Sequence, residues 1–260
     1  MFPFINLFGQ EYPTLSILGL VGFFVAVIVA GFRSKRFGLT RSDLVYIGVF
    51  AGLGLLVGSV LFFGLTRISF VWENRDYFPN FTTLLFVLFG GMVFYGGLFG
   101  AIAGIFLYSR VMKVPFSTAM ILTIPVFPLA HSIMRIGCFA GGCCHGIPFP
   151  SPLGIAFTNA VGAPNNIPLL PVQLYEAAAN LLIFGIIWCY TKRDRSWVAA
   201  ACLYGLIYSF VRFWLEFLRG DAIRGFVIGL STSQFISIAV FIVCAIGLSA
   251  LSHNKPVASE

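Results

Sequence analysis

Seven stretches of this chain are apolar for long enough to cross a bilayer as helices, and that pattern constrains the fold more than any other feature. They run from Thr14 to Ala30, Leu44 to about Leu65, Phe81 to Tyr108, about Phe116 to Phe139, Pro171 to Tyr190, Trp197 to Leu218 and Phe226 to Leu251. Hydrophobic residues make up 59% of 260, and a soluble chain of that length cannot enclose so much apolar surface in one core. The sequence therefore predicts an all-α, polytopic integral membrane protein with seven transmembrane helices, a single transmembrane domain over residues 1–260. No basic segment precedes the first apolar run, which argues against a cleaved signal peptide.

A formal net charge of +7 often points to nucleic acid, but here the cations sit in short segments between apolar runs and so report topology. With the amino terminus outside, the inner segments hold ten of the 16 Lys and Arg, among them Arg33, Lys35, Arg36, Lys192, Arg193 and Lys255. The outer segments hold four: Arg67, Arg75, Arg219 and Arg224. This asymmetry predicts the amino terminus outside and the carboxyl terminus in the cytoplasm. Residues 66–81, with Arg67, Glu73, Arg75 and Asp76, read as a polar outer loop. Residues 140–171, rich in Gly, Pro and Asn, read as an ordered loop over a site at the outer face or as a re-entrant segment.

The two remaining cations, Arg135 and Arg212, fall within or near the ends of spans. A guanidinium there is costly and is retained mainly where it meets an anion or lines a polar cavity. Tyr208, Arg212 and Glu216 are four apart and share a helical face, either as a polar seam between helices or as part of a site. Because Arg135 reaches the same face of the membrane from another span, two planar forks are available for phosphate oxygens, and a lipid headgroup is the phosphate found at that depth. Gln173 and Glu176 begin the fifth span, positioned to orient the arginines or to hydrate a helix end. Tyr95 lies in a glycine-walled stretch, Gly90 to Gly100, where backbone can approach a ligand, or serves as packing.

Cys138, Cys143, Cys144 and His145 are soft-metal donor types, but they lack the C-x2-C pairs of zinc sites. The sequence reading assigns no metal and no cofactor. A disulfide from Cys138 to Cys143 or Cys144 and a redox relay are the other readings of these thiols. His131 shares a face with Arg135 and reads as a packing residue, while His145, beside the loop, is the acid or base candidate.

Several motifs in order resemble the prolipoprotein diacylglyceryl transferase family. Tyr95-Gly96-Gly97-Leu98-Phe99-Gly100 is similar to its His-Gly-Gly-Leu-x-Gly segment, with Tyr95 where the family has histidine. Met134 to Cys143 follows its central arginine motif, with Cys138, Gly141 and Cys143 in place of Asn, Asn and Glu. Pro171-Val172-Gln173-Leu174-Tyr175-Glu176 resembles Pro-Ser-Gln-Leu-Tyr-Glu. Tyr208, Arg212, Glu216 and Arg219 fall on Tyr-x-x-x-Arg and Glu-x-x-Arg, and Gly229 to Gln234 on the closing Gly-Leu-Ser-x-x-Gln. The resemblance implies a bacterial plasma membrane protein with two partners, phosphatidylglycerol and a prolipoprotein signal peptide bearing a lipobox cysteine. It implies transfer of the diacylglyceryl group to that thiol with release of glycerol phosphate. Arg135, Arg212, Arg219, Gly96, Gly97, Gln173 and Glu176 would bind substrate, and Tyr95, Arg135, Tyr208, Arg212, Glu216 and His145 would serve catalysis. A phospholipid-handling protein without transfer, and a transferase with another acceptor, are the competing readings.

Overall fold

A computed structural model describes residues 1–74, 77–78, 80–221, 226–227 and 229–253. Arg75, Asp76, Arg224 and Lys255, which entered the loop and charge arguments, lie outside the described residues. Among the described residues, seven helical stretches are long and apolar enough to cross a membrane: Thr14–Phe37, Arg41–Glu73, Phe94–Met112, Phe116–Gly141, Val172–Tyr190, Trp197–Glu216 and Thr232–His253. The protein is an all-α polytopic membrane protein, and several spans, the first among them, have ends that differ from the sequence expectation.

Helix α1 covers Thr14–Ser34 and α2 covers Arg41–Glu73. The expected loop after residue 65 begins only past Glu73, because Thr66 to Glu73 continue the helix and Thr66 returns its hydroxyl to the Phe63 carbonyl. The long third run breaks where its glycines allow: α3 is Phe81–Phe89, and α4, Phe94–Met112, is the spanning piece. The fourth run is α5, Phe116–Thr123, a 3-10 turn at Ile124–Val126, and α6, Phe127–Gly141. Pro125 and Pro128 sit at that junction, where their missing N–H groups cost least. Helices α7, Val172–Tyr190, and α8, Trp197–Glu216, match the fifth and sixth runs. The last helix, α9, is Thr232–His253, beginning later than expected because Phe226–Val227 and Leu230–Ser231 pair as a short hairpin.

The chain divides into two compact units, Ala30–Leu122 and Met1–Val29 with Thr123–Glu260. In the first, α2 and α4 meet through glycine. A Cβ on Gly54 would run into the Gly100 carbonyl, and one on Gly100 would run into the Gly54 carbonyl. Backbones approach this closely where small residues replace the apolar drive that lipid does not supply. The Tyr108 hydroxyl adds a 2.9 Å hydrogen bond to Asp43, which also closes the capping box with Thr40 at the start of α2. Gly100→Val is expected to lower stability by about 1–3 kcal/mol through overpacking. Gly19→Ala, whose added methyl meets nothing within 4 Å, is expected to be neutral. Thermal unfolding of both variants in detergent checks this.

In the second unit, residues 4–13 form a hairpin, β1 (Phe4–Leu7) with β2 (Gln10–Pro13), that enters α1. Helix α6 packs on α1 where Gly137 faces Leu15 and Leu18, and Gly22 faces Ala130. The segment after α6 is an ordered loop. Its backbone pairs with itself (Phe149 N to Pro168 O, 2.8 Å; Gly146 N to Leu170 O, 3.1 Å), and Phe157 is buried against Phe139. It is also tied to the end of α8, with Ile147 N donating to Leu218 O and Gly220 N to His145 O, both at 3.0 Å.

Candidate active site

The ends of α6, α7 and α8 bring charged groups together that are far apart in sequence. Glu176, in the first two turns of α7, is 1% exposed. Its Oε1 lies 2.9 Å from Arg135 Nη2 and accepts the Tyr208 hydroxyl at 3.1 Å. Its Oε2 faces Arg212 Nη1 at 3.8 Å and Arg219 Nη1 at 3.9 Å. One carboxylate thus faces three guanidiniums. Each arginine also has a second partner: Glu216 Oε2 holds Arg212 Nη2 at 2.7 Å, Asp221 takes a bidentate fork from Arg219 at 2.7 and 2.8 Å, and Arg135 Nε donates to His131 Nε2 at 3.3 Å. Buried charges are tolerated when paired and hydrogen-bonded in this way.

Two donors are left over. Arg212 Nη1 and Arg219 Nη1 are buried and have no hydrogen-bond acceptor among the described residues. Both point toward Glu176 Oε2 from beyond hydrogen-bond distance. Guanidinium edges held in place with unused N–H groups are what a phosphate oxygen can accept from.

The i,i+4 arithmetic identified Arg212 with Glu216 but not the groups that steady them. Ser231 donates to Glu216 Oε1 at 2.9 Å, Arg212 Nη2 lies 3.5 Å from Ser233 Oγ, and Gln234 accepts from Ser231 N at 2.9 Å. These come from the Leu230–Ser231 strand and the start of α9, and the Gly-Leu-Ser-x-x-Gln pattern was the available signal. His131, read as packing, accepts from Arg135, lies 3.8 Å from Glu176 and packs on the Tyr208 ring at 5.5 Å.

Three thiols adjoin this cluster. The Sγ atoms of Cys138, Cys143 and Cys144 all lie within 4.8 Å of one another, and all three cysteines are free. Their spacing in sequence argued against a common centre. Left-handed backbone at Gly142 (φ 69°) and Cys144 (φ 57°) folds the segment so that even the vicinal pair converges. Hydrogen bonds from Cys138 and Cys143, then the charge of Arg219, hold the Cys144 thiol below its ordinary range. The bonds Cys143 makes to its two neighbours push that thiol up. Arg135 Nη1 lies 3.9 Å from Cys138 Sγ.

The prolipoprotein diacylglyceryl transferase family model matches residues 5–250. The chain belongs to that family. It is 34% identical over 239 residues to the phosphatidylglycerol–prolipoprotein diacylglyceryl transferase of Clostridium tetani (strain Massachusetts / E88), covering 92% of each chain. It is 30% identical to the second such transferase of Clostridium perfringens (strain 13 / Type A), covering 91% of this chain and 90% of that one. Identity to the Pseudoalteromonas atlantica protein is 32% over 250 residues. Like other members of the prolipoprotein diacylglyceryl transferase family, this is a multi-pass protein of the bacterial plasma membrane.

Of the residues that the family motifs single out, the structure gathers Arg135, Glu176, Tyr208, Arg212, Glu216 and Arg219 in one cluster. Gln173 is buried beside them but donates to the Cys143 carbonyl at 2.7 Å, pinning the cysteine segment rather than an arginine. His145 is buried, with Nδ1 2.9 Å from the Gly146 carbonyl. Tyr95, Gly96 and Gly97 belong to the Ala30–Leu122 unit. Tyr95 is 40% exposed and edge-on to Phe94. Gly96 faces Gly58 and Phe62, so its missing side chain makes room for α2.

Proposed function

We propose that the protein transfers the diacylglyceryl group of phosphatidylglycerol to the lipobox cysteine thiol of a prolipoprotein. The observation that carries this reading is the pair of unused N–H groups on Arg212 and Arg219, buried beside Arg135 and Glu176 in an apolar bundle. Three guanidiniums hold the lipid phosphate and oppose the negative charge that grows on the departing oxygen. Fixed donors accelerate a reaction most where charge develops in the transition state. The acceptor sulfur attacks the glyceryl carbon, a C–S bond forms as the C–O bond to phosphate breaks, and the electron pair leaves with glycerol phosphate. The thiol proton passes to a base in the site, where Glu216 and His145 are the candidates. Tyr208, bonded to Glu176, orients the lipid phosphate. Gly96, Gly97 and Gln173 act by holding backbone in place.

Incubating the purified protein with labelled phosphatidylglycerol and a lipobox peptide tests the reading. Label on a cysteine peptide and none on its serine counterpart supports it. Lipid binding without transfer favours a lipid-handling relative, a reading that Tyr95 in place of the family histidine motivates. Tyr95→His is expected to leave transfer equal to wild type or faster, since imidazole is the better proton acceptor near neutral pH. The same reading places the amino terminus outside, following the charge asymmetry. A cysteine introduced at Lys192 in a background lacking the native cysteines is then expected to resist impermeant maleimide in intact cells and to label after permeabilisation.

A further inference from the structure

The three converging thiols are more than the phosphate cluster requires. Thiol side chains on consecutive residues diverge in ordinary helix or strand, yet Cys143 and Cys144 meet Cys138 because Cys144 adopts φ 57°. A residue held in that sparsely populated region is a reason to look for function. The conformation is fastened on each side. Gln173 holds the Cys143 carbonyl, Cys143 N donates to Cys138 O at 3.1 Å, and the His145 carbonyl accepts from Gly220.

We propose that Cys138, Cys143 and Cys144 bind a thiophilic divalent cation of the zinc class, and that its fourth coordination position takes the acceptor thiol as thiolate. The second half rests on the transfer proposed above.

The donor set fits. Zinc with three protein ligands and one exchangeable position is the catalytic pattern, and three thiolates select soft or borderline cations. A tetrahedral centre with metal–sulfur bonds of about 2.3 Å sets its sulfurs about 3.8 Å apart, so a sulfur triangle no wider than 4.8 Å has to contract by no more than about 1 Å on any edge. A divalent cation with three thiolates carries one negative charge, and a fourth thiolate makes it two. Arg135, 3.9 Å from Cys138, and Arg219, adjacent to Cys144, lie where they offset that charge. Those same arginines face Glu176, which sets the thiol centre beside the proposed phosphate site.

The chemistry needs such a device. A free thiol is mostly protonated at neutral pH, with a pKa near 8.5, whereas a thiol bound to a cation of this kind is deprotonated outright. On coordination the acceptor gives its proton to the base already named, Glu216 or His145, and its sulfur attacks the glyceryl carbon. The C–O electron pair leaves on glycerol phosphate, and the thioether, a weaker ligand, departs. No oxidant or reductant enters.

The test uses the full chain in detergent, reduced and stripped with chelator, then titrated with Co2+ as a spectroscopic probe. One Co2+ per chain with sulfur-to-metal charge-transfer absorption is expected. The band is lost in Cys138→Ser, Cys143→Ser and Cys144→Ser, and retained in Cys202→Ser/Cys244→Ser. Adding a lipobox cysteine peptide, without lipid, is expected to raise the band by about a third as a fourth thiolate joins three, and the serine peptide to leave it unchanged. Absence of a band in reduced wild type overturns the metal site, as does a band that survives all three single variants. A band indifferent to the cysteine peptide overturns the acceptor position. Both readouts are independent of lipid transfer, so a bound, peptide-responsive Co2+ in a protein that transfers nothing supports the site and contradicts the transferase reading alone.

Discussion

Arg135→Ala is expected to lower the rate of diacylglyceryl transfer by about 10²–10³, the cost of removing one preorganised donor from a site where transition-state charge develops. The effect should fall on the chemical step more than on lipid affinity, because Arg212 and Arg219 still supply the two unused N–H groups. Loss of the guanidinium also removes the 2.9 Å contact to Glu176 and the donor to His131, so folding must be separated from chemistry. Arg135→Lys does this by keeping the charge while losing the planar fork. It should fold as wild type and transfer at a rate between wild type and the alanine variant. Initial rates at saturating phosphatidylglycerol decide the matter. Alanine-variant rates within twofold of wild type would remove Arg135 from the mechanism.

Glu176→Gln is expected to be the most damaging single change to stability. Glu176 is the carboxylate that all three arginines face, and among the described residues the neutral amide leaves their charge opposed by Glu216 and Asp221. Breaking a buried ion pair from one side costs about 3–5 kcal/mol because the other charge stays desolvated. An apparent melting temperature lower by roughly 10 °C follows for a chain of this size. The double variant Arg135→Met/Glu176→Gln should recover part of the loss, since it removes both members of the closest pair. Recovery is the discriminating result, for a role of Glu176 in local packing alone predicts that the two losses add.

The fold was largely legible because bilayer thickness acts on one local property, the length of an apolar run. Where that property was ambiguous the boundaries moved. Thr66 to Glu73 looked like a loop through its charges yet continue α2, and Phe226–Val227 with Leu230–Ser231 looked like the start of a helix yet pair as strands. The site was legible in its parts. Arg212 with Glu216 followed from helical spacing within one element. The meeting of Glu176 with Arg135 and Arg219 joins three elements, and no periodicity encodes it. Ser231, just before α9, acts on Glu216 of α8, and His131 looked like core because its partner Arg135 is on its own helix. The cysteines are the clearest case. Spacing rules assume ordinary backbone between the side chains that meet, and a left-handed cysteine brings together three thiols whose spacing gave no sign of it.

In the proposed mechanism the buried arginines around Glu176 take the phosphate of the lipid donor. The most direct test is equilibrium binding of phosphatidylglycerol and of diacylglycerol to the purified protein, wild type and Arg212→Gln/Arg219→Gln, in one detergent. Wild type is expected to bind phosphatidylglycerol at least about tenfold more tightly than diacylglycerol, and the double variant to lose this preference, given about 1.5–3 kcal/mol for a hydrogen bond to a charged group. Equal affinity for the two lipids in wild type, or an undiminished preference in the double variant, would contradict that mechanism.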